Sequence, residues 1–409
     1  MFVWFAVTLP FFLPAQYYTP SLLVPYIENA PEVVSRSAIL MDAETGTVLF
    51  SKNSDLETPP ASLTKLMTMH LLFNEVDAGR VSLDDLVPIT EESWAQNQPP
   101  RSSLMFLAPG QIVTLREIML GLVIPSGNDA AVAAALVLAP TVQDFVVLMN
   151  AEARRMGLRY THFVEPSGIS EDNTTTAFEL ALFCRQYVKL HPQSLAEFHT
   201  VQSFAYPKAA NVREAFRANP RTIVQNNHNS LINTFPGVDG LKTGYIDEAG
   251  YNVALTALRD QTRFVAIILG AGSDRTRSAD GTRLLSWAFD NFKTVRPDIG
   301  QIEKARLWKG KANTVELKLA QAADFTSPLD RADTLTFQSV FTGRLVAPLP
   351  AGFQAGHLVI SDEQGEVNRI ALVTASACEE GNVFKRIWHS IRLFFIKGRA
   401  RAAALKKQR

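Results

Sequence analysis

A series of apolar runs joined by short turns, between residues 238 and 271, constrains the fold of this chain most strongly. The run VDGLKTGY leads into YNVALTAL, and the turn RDQTR leads into FVAIILGAG. Short apolar runs bounded by turn residues are typical of neighbouring strands. The sequence therefore predicts an antiparallel meander that carries the tripeptide KTG, residues 242–244, on one strand. A helix at about residues 277–294 is expected to pack beside this meander.

The part of the chain before the meander is mainly helical in pattern. Residues 37–50 predict two short strands around a turn, and a helix is predicted from Ser62 to about Glu75. A strongly amphipathic helix, VQDFVVLMNAEARRMGL, ends at Gly157. Because helices and antiparallel strands are segregated along the chain, we expect an α+β fold.

The segment SGN, residues 126–128, lies between two predicted helices. The first helix covers about residues 115–123 and stops before Pro125, and the second starts at Asn128 and is rich in alanine. This arrangement predicts that SGN forms a loop held between two helix ends.

The chain changes character near Pro297. Its 409 residues, 47% of them hydrophobic, are enough for two domains or more. After Pro297, short β-like runs such as TVELKLA and HLVISDEQGEVNRIALVTA alternate with Gly, Pro and Asp turns. We therefore predict a first domain at residues 33–296 and a small β-rich domain at residues 297–378.

The C-terminal segment, residues 382–409, differs from both domains. It contains nine Lys or Arg residues and no acidic residue. Its apolar residues fall on one helical stripe: Phe384, Ile387, Trp388, Ile391, Phe394 and Phe395. A basic helix with such a stripe is typical of helices that lie in a membrane interface, although an ordinary docking helix is the alternative.

The N-terminal segment and the composition bear on location and partners. Residues 1–20 are apolar, which predicts a cleavable signal peptide or an uncleaved anchor, and hence export. The first basic residue is Arg36, whereas a signal normally begins with a basic region. The zero formal net charge argues against nucleic acid as a partner. Cys184 and Cys378 have neither the spacing of a metal site nor a CxxC motif, and we predict no metal and no cofactor.

Three short motifs occur in an order that points to one kind of chemistry. An S-x-x-K tetrapeptide alone would occur about once by chance in a chain of this length. S-x-x-K at a helix start, an S-x-N loop and K-T-G on a strand together are the pattern of penicillin-binding proteins and class A β-lactamases. Here they are Ser62-x-x-Lys65, Ser126-Gly127-Asn128 and Lys242-Thr243-Gly244.

With these motifs in this order, the chain resembles the low-molecular-weight penicillin-binding proteins, which are serine D-alanyl-D-alanine carboxypeptidases. The stretches MNAEARRMGLRYTHFVEPSG and NHNSLINTFPGVDGLKTGYIDEAGY also resemble that family. The resemblance implies a β-lactamase/transpeptidase-like catalytic domain, then a small all-β domain and an amphipathic anchor helix. It also implies attack of a serine on peptidoglycan stem peptides ending in D-Ala-D-Ala, acylation by β-lactam antibiotics, and a place on the outer face of the cytoplasmic membrane.

Ser62 and Lys65 fit the roles of nucleophile and base. A serine hydroxyl needs a base to become a good nucleophile, and side chains at i and i+3 share one face of a helix. A lysine at a helix N-terminus has the wrong charge for helix stability, but this position, burial and a second cation lower its pKa. The alternative is a serine N-cap followed by a solvated lysine.

The other two motifs fit proton relay and substrate binding. Ser126 can relay a proton from Lys65 to the leaving amine, and Asn128 can bind the substrate amide or hold Lys65. Lys242 and Thr243 would bind the terminal carboxylate of the substrate, while Gly244 lets the backbone approach closely. The strand itself can add the peptide as a further strand.

The resemblance adds two further assignments. In the family, backbone N–H groups of the nucleophile and of the residue after K-T-G form the oxyanion hole, which implies Ser62 and Tyr245. The family also has an arginine that helps to hold the carboxylate. Arg277 resembles it, with Arg275 as the alternative.

Three other functions compete with a carboxypeptidase. A β-lactamase of class A needs a glutamate that activates water, and Glu165, Glu171 and Glu179 are candidates without the expected pattern. A D,D-endopeptidase has the same motifs, and a non-catalytic wall-binding scaffold would not need them. A Ser-His-Asp triad would need a G-x-S-x-G elbow, which Ser62 lacks; the residues that suggest one, His162, His228 and Asp239, are therefore predicted to be structural.

Overall fold

The computed structural model describes residues 30–297, 304–321 and 323–407, with side chains up to residue 396. The predicted N-terminal signal or anchor, residues 1–20, lies outside this part of the chain. Contacts between residues divide the chain into a first unit that ends at Asp290 and a second unit that begins at Asn291.

The first unit is built on a five-stranded sheet in which every neighbouring pair is antiparallel. Its strands are β1 (Ser37–Asp42), β2 (Val48–Lys52), β7 (Val238–Ile246), β8 (Gly250–Arg259) and β9 (Thr262–Ala271). The order across the sheet is β2-β1-β9-β8-β7, so the strand with the KTG motif lies at an edge. The predicted meander and the α+β class are confirmed.

The helices and minor strands of the first unit surround this sheet. The helices are α1 (Lys65–Asp77), α2 (Leu115–Val123), α3 (Asn128–Leu138), α4 (Val142–Arg155), α5 (Ala177–Leu190), α6 (Leu231–Thr234) and α7 (Asp274–Asn291). Two small two-stranded antiparallel sheets consist of β3 (Leu86–Val87) with β4 (Val113–Thr114), and of β5 (Ser203–Tyr206) with β6 (Ile223–Asn226). Helix α5 packs on β1 and β9.

Helix α1 lies in the core of the first unit. Its first six residues, from Lys65 to His70, are all buried, and a helix that is apolar on most sides must be surrounded by protein. Helices α2, α3 and α4 contact it. The motif at its start is therefore held in a rigid, low-dielectric environment.

The structure corrects three predicted helix boundaries. Ser62 is not inside α1 but in a 3₁₀ turn, Ala61–Thr64, that precedes it; such tight turns are common at helix starts. Helix α7 begins at Asp274 rather than at 277, because Ser273 Oγ accepts the Thr276 N–H at 3.0 Å and starts the helix earlier. Its predicted end is also wrong, since residues 292–295 form a strand.

The second unit is rich in strands, as predicted. They are β10 (Phe292–Val295), β11 (Ala305–Trp308), β12 (Thr314–Val315), β13 (Leu317–Leu319), β14 (Phe325–Pro328), β15 (Thr336–Phe341), β16 (Leu345–Val346), β17 (Gln354–Asp362) and β18 (Gly365–Thr374), with one short helix, α8 (Leu329–Ala332). The largest sheet has the order β13-β18-β17-β15.

A long C-terminal helix, α9 (Val383–Lys407), completes the second unit. On one side, His389 is buried, accepts the Lys309 N–H at 2.8 Å and meets the Trp308 ring edge-on. The apolar stripe predicted for this helix is exposed, with Phe384 85% exposed. Within the described residues, no helix by itself has the length and apolarity to cross a bilayer; α3 and α4 satisfy these criteria only as a pair bent by 83°.

Candidate active site

The Ser62 hydroxyl lines an open cleft of about 870 Å³ in the first unit. The turn that carries it follows Pro59 and Pro60, and Leu63 N–H donates to the Pro60 carbonyl at 3.3 Å. Ala61, beside the serine, has a positive φ of 51°, which is uncommon for a residue with a side chain. The backbone is thus bent sharply so that Ser62 faces the cleft.

Lys65 is fully buried behind Ser62. Its Nζ lies 3.0 Å from Ser62 Oγ, 2.8 Å from Asn128 Oδ1 and 2.6 Å from the Ser167 carbonyl oxygen. Burial lowers the pKa of Lys65 to about 7, against the opposing effect of the carboxylates of Glu165 and Asp129. A large fraction of this lysine is therefore neutral near neutral pH, which a general base requires.

The SGN segment places a second hydroxyl in the cleft. Ser126 has a φ of 61° and is 3% exposed. Its Oγ has no hydrogen-bond partner within the described residues, although buried polar groups are nearly always paired. Strained backbone and an unpaired buried hydroxyl occur together most often at functional sites.

The helix that follows this segment holds the wall of the cleft in place. Asp129, fully buried at the start of α3, accepts the N–H groups of Met105 at 2.8 Å and Leu107 at 2.9 Å. Asn128 N–H donates to the Ser103 carbonyl at 2.8 Å. The loop that includes Ser103 is therefore tied to the segment that positions Ser126.

The edge strand β7 brings the KTG motif against the nucleophile turn. A Cβ atom on Gly244 would lie 2.9 Å from Ser62 N and 3.0 Å from the Pro60 carbonyl, so only glycine permits this approach. Thr243 lines the cleft. Lys242 is buried behind it, and burial, followed by the cations Lys65 and Arg277, lowers its pKa well below the usual range.

Arg277, rather than Arg275, faces the cleft. Its side chain is 7% exposed, pairs with Asp274, and has Nη1 3.4 Å from the Asn252 carbonyl oxygen. Arg275, two residues earlier in the same helix, points to a different side of α7 and is exposed to solvent. Tyr245 and Tyr251 also line the cleft, with ring centres 4.4 Å apart, and the Arg277 guanidinium lies 5.9 Å from the centre of the Tyr251 ring.

The structure thus brings the predicted site residues to one cleft. Lys65 and Lys242 lie directly behind its wall, and the others line it: Ser62, Ser126, Asn128, Thr243, Gly244, Tyr245 and Arg277. Within the described residues, there is no group of three or more His, Cys, Asp or Glu side chains that could hold a metal ion.

One histidine predicted to be structural lines the cleft instead. His228 faces Ser62 and the KTG strand, and its partly enclosed position and the nearby Lys242 and Arg277 lower its pKa. Nothing local in the sequence marks this residue, because only the fold brings it to the KTG strand. His162 is exposed, and Asp239 forms an ion pair with Arg263 at 2.8 Å, so both lie outside the site.

The three glutamates considered for a class A β-lactamase do not line the cleft. Glu171 is exposed, and the carboxylate of Glu179 accepts backbone N–H groups of residues 159 and 160. The carboxylate of Glu165 is occupied by donors from its own loop. None of the three is placed to activate a water at Ser62.

Comparisons with known proteins agree with this site. A family model described as D-alanyl-D-alanine carboxypeptidase matches residues 25–273. A second model, described as the C-terminal domain of penicillin-binding protein 5, matches residues 292–380. The two matches follow each other along the chain, as the two structural units do.

Individual proteins are similar over most of the chain. The D-alanyl-D-alanine carboxypeptidase DacD of Escherichia coli is 32% identical over 89% of this chain and 92% of its own length. The crystal structure of penicillin-binding protein 5 from Haemophilus influenzae superposes with a TM-score of 0.74 and 27% identity, covering 86% of this chain and 99% of the other. A D-alanyl-D-alanine endopeptidase of Pseudomonas aeruginosa is 32% identical, but over only 65% of this chain and 81% of its own.

Proposed function

The chain belongs to the D-alanyl-D-alanine carboxypeptidase family, and from this premise we propose how its own residues carry out the reaction. Ser62 attacks the carbonyl of the penultimate D-alanine in a peptidoglycan stem peptide, and the terminal D-alanine leaves. Water then hydrolyses the acyl-enzyme. Penicillins acylate the same serine, and no cofactor takes part.

Proton transfer in the acylation step uses Lys65 and Ser126. The Ser62 Oγ–H proton passes to the neutral Lys65 amine, whose Nζ lies 3.0 Å from Oγ, while the Oγ–C bond forms. When the C–N bond of the substrate breaks, the unpaired hydroxyl of Ser126 passes a proton from Lys65 to the leaving amine. Asn128, which already contacts Lys65 Nζ, holds the lysine during both transfers.

Charge on the substrate is stabilised at the other side of the cleft. The N–H groups of Ser62 and Tyr245 would bind the oxyanion. Lys242, Thr243 and Arg277 would bind the terminal carboxylate, which is the group that distinguishes a carboxypeptidase substrate. Although burial lowers the pKa of Lys242, an adjacent carboxylate raises it again and restores the ammonium form.

One observation carries this proposal: a fully buried lysine with a pKa of about 7 lies 3.0 Å from a serine that lines a cleft. A wall-binding scaffold has no use for such a pair. A β-lactamase is disfavoured because none of the three glutamates considered for it, Glu165, Glu171 and Glu179, lines the cleft. An endopeptidase is the nearest alternative, and the similar endopeptidase matches 65% of this chain, whereas the carboxypeptidase DacD matches 89%.

The experiment that tests the proposal is release of free D-alanine from a peptide ending in Lys-D-Ala-D-Ala. We expect release by the native protein and none by Ser62→Ala, with both proteins unfolding at similar temperatures. The rate should decrease as the pH falls below about 7, because protonated Lys65 cannot accept the serine proton. A native protein that cuts cross-linked dimers but releases no terminal D-alanine would instead be an endopeptidase.

We also propose that the protein is exported and held at the outer face of the cytoplasmic membrane by α9. The substrate is a cell-wall polymer, so the enzyme must act outside the cytoplasm. The exposed stripe of α9 includes Trp388 and Phe394, and Lys385, Arg386 and Arg392 lie on the same helix. Aromatic residues on one face and cations on the other suit the surface of an anionic bilayer.

A further inference from the structure

The carboxylate of Glu165 binds an unusual number of donors from its own loop. Its Oε2 accepts the Ser167 N–H at 2.7 Å and the Ser167 hydroxyl at 2.5 Å. Its Oε1 accepts the Gly168 N–H at 2.6 Å and the Asn173 amide at 2.8 Å. Hydrogen bonds to an ionised acceptor are about twice as strong as neutral ones, so this carboxylate fixes the conformation of residues 165–168.

This loop presents two consecutive carbonyl groups to α1. The Ser167 carbonyl accepts from Lys65 Nζ at 2.6 Å, and the Pro166 carbonyl accepts from Thr68 Oγ1 at 2.9 Å. All four residues are buried. The position of the Ser167 carbonyl, and hence one contact of Lys65, depends on the loop that Glu165 holds.

The same loop also presses against the nucleophile turn. Gly168 has a φ of 82°, and a Cβ atom there would lie 1.8 Å from the Ala61 carbonyl oxygen and 2.9 Å from Ser62 N. Packing this close leaves no room for the loop to shift without moving the turn that carries Ser62.

The three neighbours of Lys65 Nζ match the hydrogen-bonding capacity of a neutral amine. A neutral amine has two N–H donors and one lone pair. The Ser167 carbonyl and Asn128 Oδ1 accept the two N–H groups, so the lone pair is left facing Ser62 Oγ at 3.0 Å. If the Ser167 carbonyl moved, an N–H group would be free to turn toward Ser62 in place of the lone pair.

We propose that Glu165 is a positioning residue for the catalytic base: it fixes the Ser167 carbonyl, which aims the Lys65 lone pair at Ser62. This inference rests on the proposed roles of Ser62 and Lys65. It assigns a function to a glutamate that neither touches the substrate cleft nor activates water.

The charge of Glu165 provides a readout that loop stability alone would not change. The ionisable groups near Lys65 are Glu165 and Asp129, which raise its pKa, together with Lys242 and the imidazole of His228. Removing the Glu165 charge therefore lowers the pKa of Lys65. The acid limb is the pH range in which acylation slows because Lys65 becomes protonated. It must then move to lower pH, whatever happens to the maximal rate that is reached at higher pH, the plateau.

The test is the single-turnover rate of Ser62 acylation by benzylpenicillin, followed by intact mass across a pH series in the full chain. Each rate constant is normalised to the acylated end point, so that unfolded molecules do not count. For Glu165→Gln we expect a plateau about tenfold slower, since small misplacement of a catalytic group is costly, and an acid limb at lower pH. Glu165→Asp, which keeps the charge but has a shorter reach, should be slower with an unmoved acid limb.

Glu179→Gln is the matched control. The carboxylate of Glu179 also accepts backbone N–H groups in the segment between α4 and α5, those of residues 159 and 160, but it has no contact with the Ser167 carbonyl. It should lower stability and leave both the plateau and the acid limb unchanged.

Several outcomes would overturn the inference. The inference fails if both Glu165 variants have the plateau rate and the acid limb of the native protein. It also fails if Glu179→Gln slows acylation as much as Glu165→Gln does. If Glu165→Gln does not fold, a wild-type rate in Glu165→Asp is sufficient to reject it. If benzylpenicillin never acylates the native protein, Lys65 does not act as a base for Ser62. Both the proposed function and this inference would then fail.

Discussion

Gly244 is the residue at which the edge strand comes closest to the nucleophile. A Cβ atom there would collide with Ser62 N and the Pro60 carbonyl. The substrate-binding strand and the nucleophile turn can therefore touch only because this residue has no side chain. The distance between the carboxylate-binding residues and the attacking oxygen is therefore set by this one position.

We expect Gly244→Ala to acylate with penicillin about 100-fold more slowly than the native protein, because a displacement of about 1 Å in the reacting geometry has effects of this size. The fold should survive, since β7 lies at the edge of the sheet. The control is Gly272→Ala, where a Cβ atom would meet nothing within 4 Å. If penicillin acylated Gly244→Ala at the native rate, β7 could move away from the nucleophile turn without affecting the reaction, contrary to this prediction.

At this scale, site residues that belong to short local motifs could be predicted from the sequence. Groups that reach the site only through the tertiary structure could not. Ser62 and Lys65 are three positions apart, and that spacing predicts their roles once the SGN and KTG motifs accompany it. The Ser167 carbonyl lies 102 positions from Lys65, and a backbone oxygen has no residue type to mark it. His228 was missed for the same reason, since its place beside Lys242 follows from tertiary structure alone.

Among the elements, the strands of the meander and the starts of α2 and α3 were predicted more accurately than the starts of α1 and α7. The runs of β7 to β9 are continuous, buried and separated by clear turns, so their pattern has one interpretation. The start of α1 was placed three residues early, because a 3₁₀ turn and the first turn of an α-helix have nearly the same sequence preferences. The difference matters here, since the 3₁₀ turn is what directs Ser62 into the cleft.

Helix α9 allows a direct test of the proposed membrane attachment. We expect the full chain to bind vesicles that contain anionic phospholipid. The double variant Trp388→Ser, Phe394→Ser should bind at least about tenfold more weakly, because each exposed aromatic ring buries apolar area in the membrane interface. Added salt should weaken binding of both proteins.

The control for this prediction is Phe216→Ser, which removes a phenylalanine that is 61% exposed in the first unit. Sedimentation of each protein with vesicles gives the measurement. Equal binding by the native protein and the double variant would contradict attachment through the stripe on α9.

For the molecule as a whole, buried histidines link stability to pH. His191 and His199 are almost completely buried, and burial lowers the pKa of each to about 4. His199 lies against the KTG strand, where its Nδ1–H donates to the Leu241 carbonyl at 3.0 Å, and Tyr187 OH donates to its Nε2 at 2.9 Å. This bonding pattern requires the neutral imidazole, so the same groups that support the site resist protonation.

In the unfolded chain a histidine titrates near pH 6.5, so between that value and about 4 the unfolded state binds protons that the native state excludes. The free energy of unfolding must therefore fall as the pH is lowered through this window, by about 1 kcal/mol per pH unit for each histidine. Thermal unfolding across the pH series should show a shallower dependence in His199→Gln than in the native protein, with His162→Gln, at an exposed histidine, as the control. An unchanged slope in His199→Gln would mean that protonation of His199 does not contribute to the loss of stability in acid.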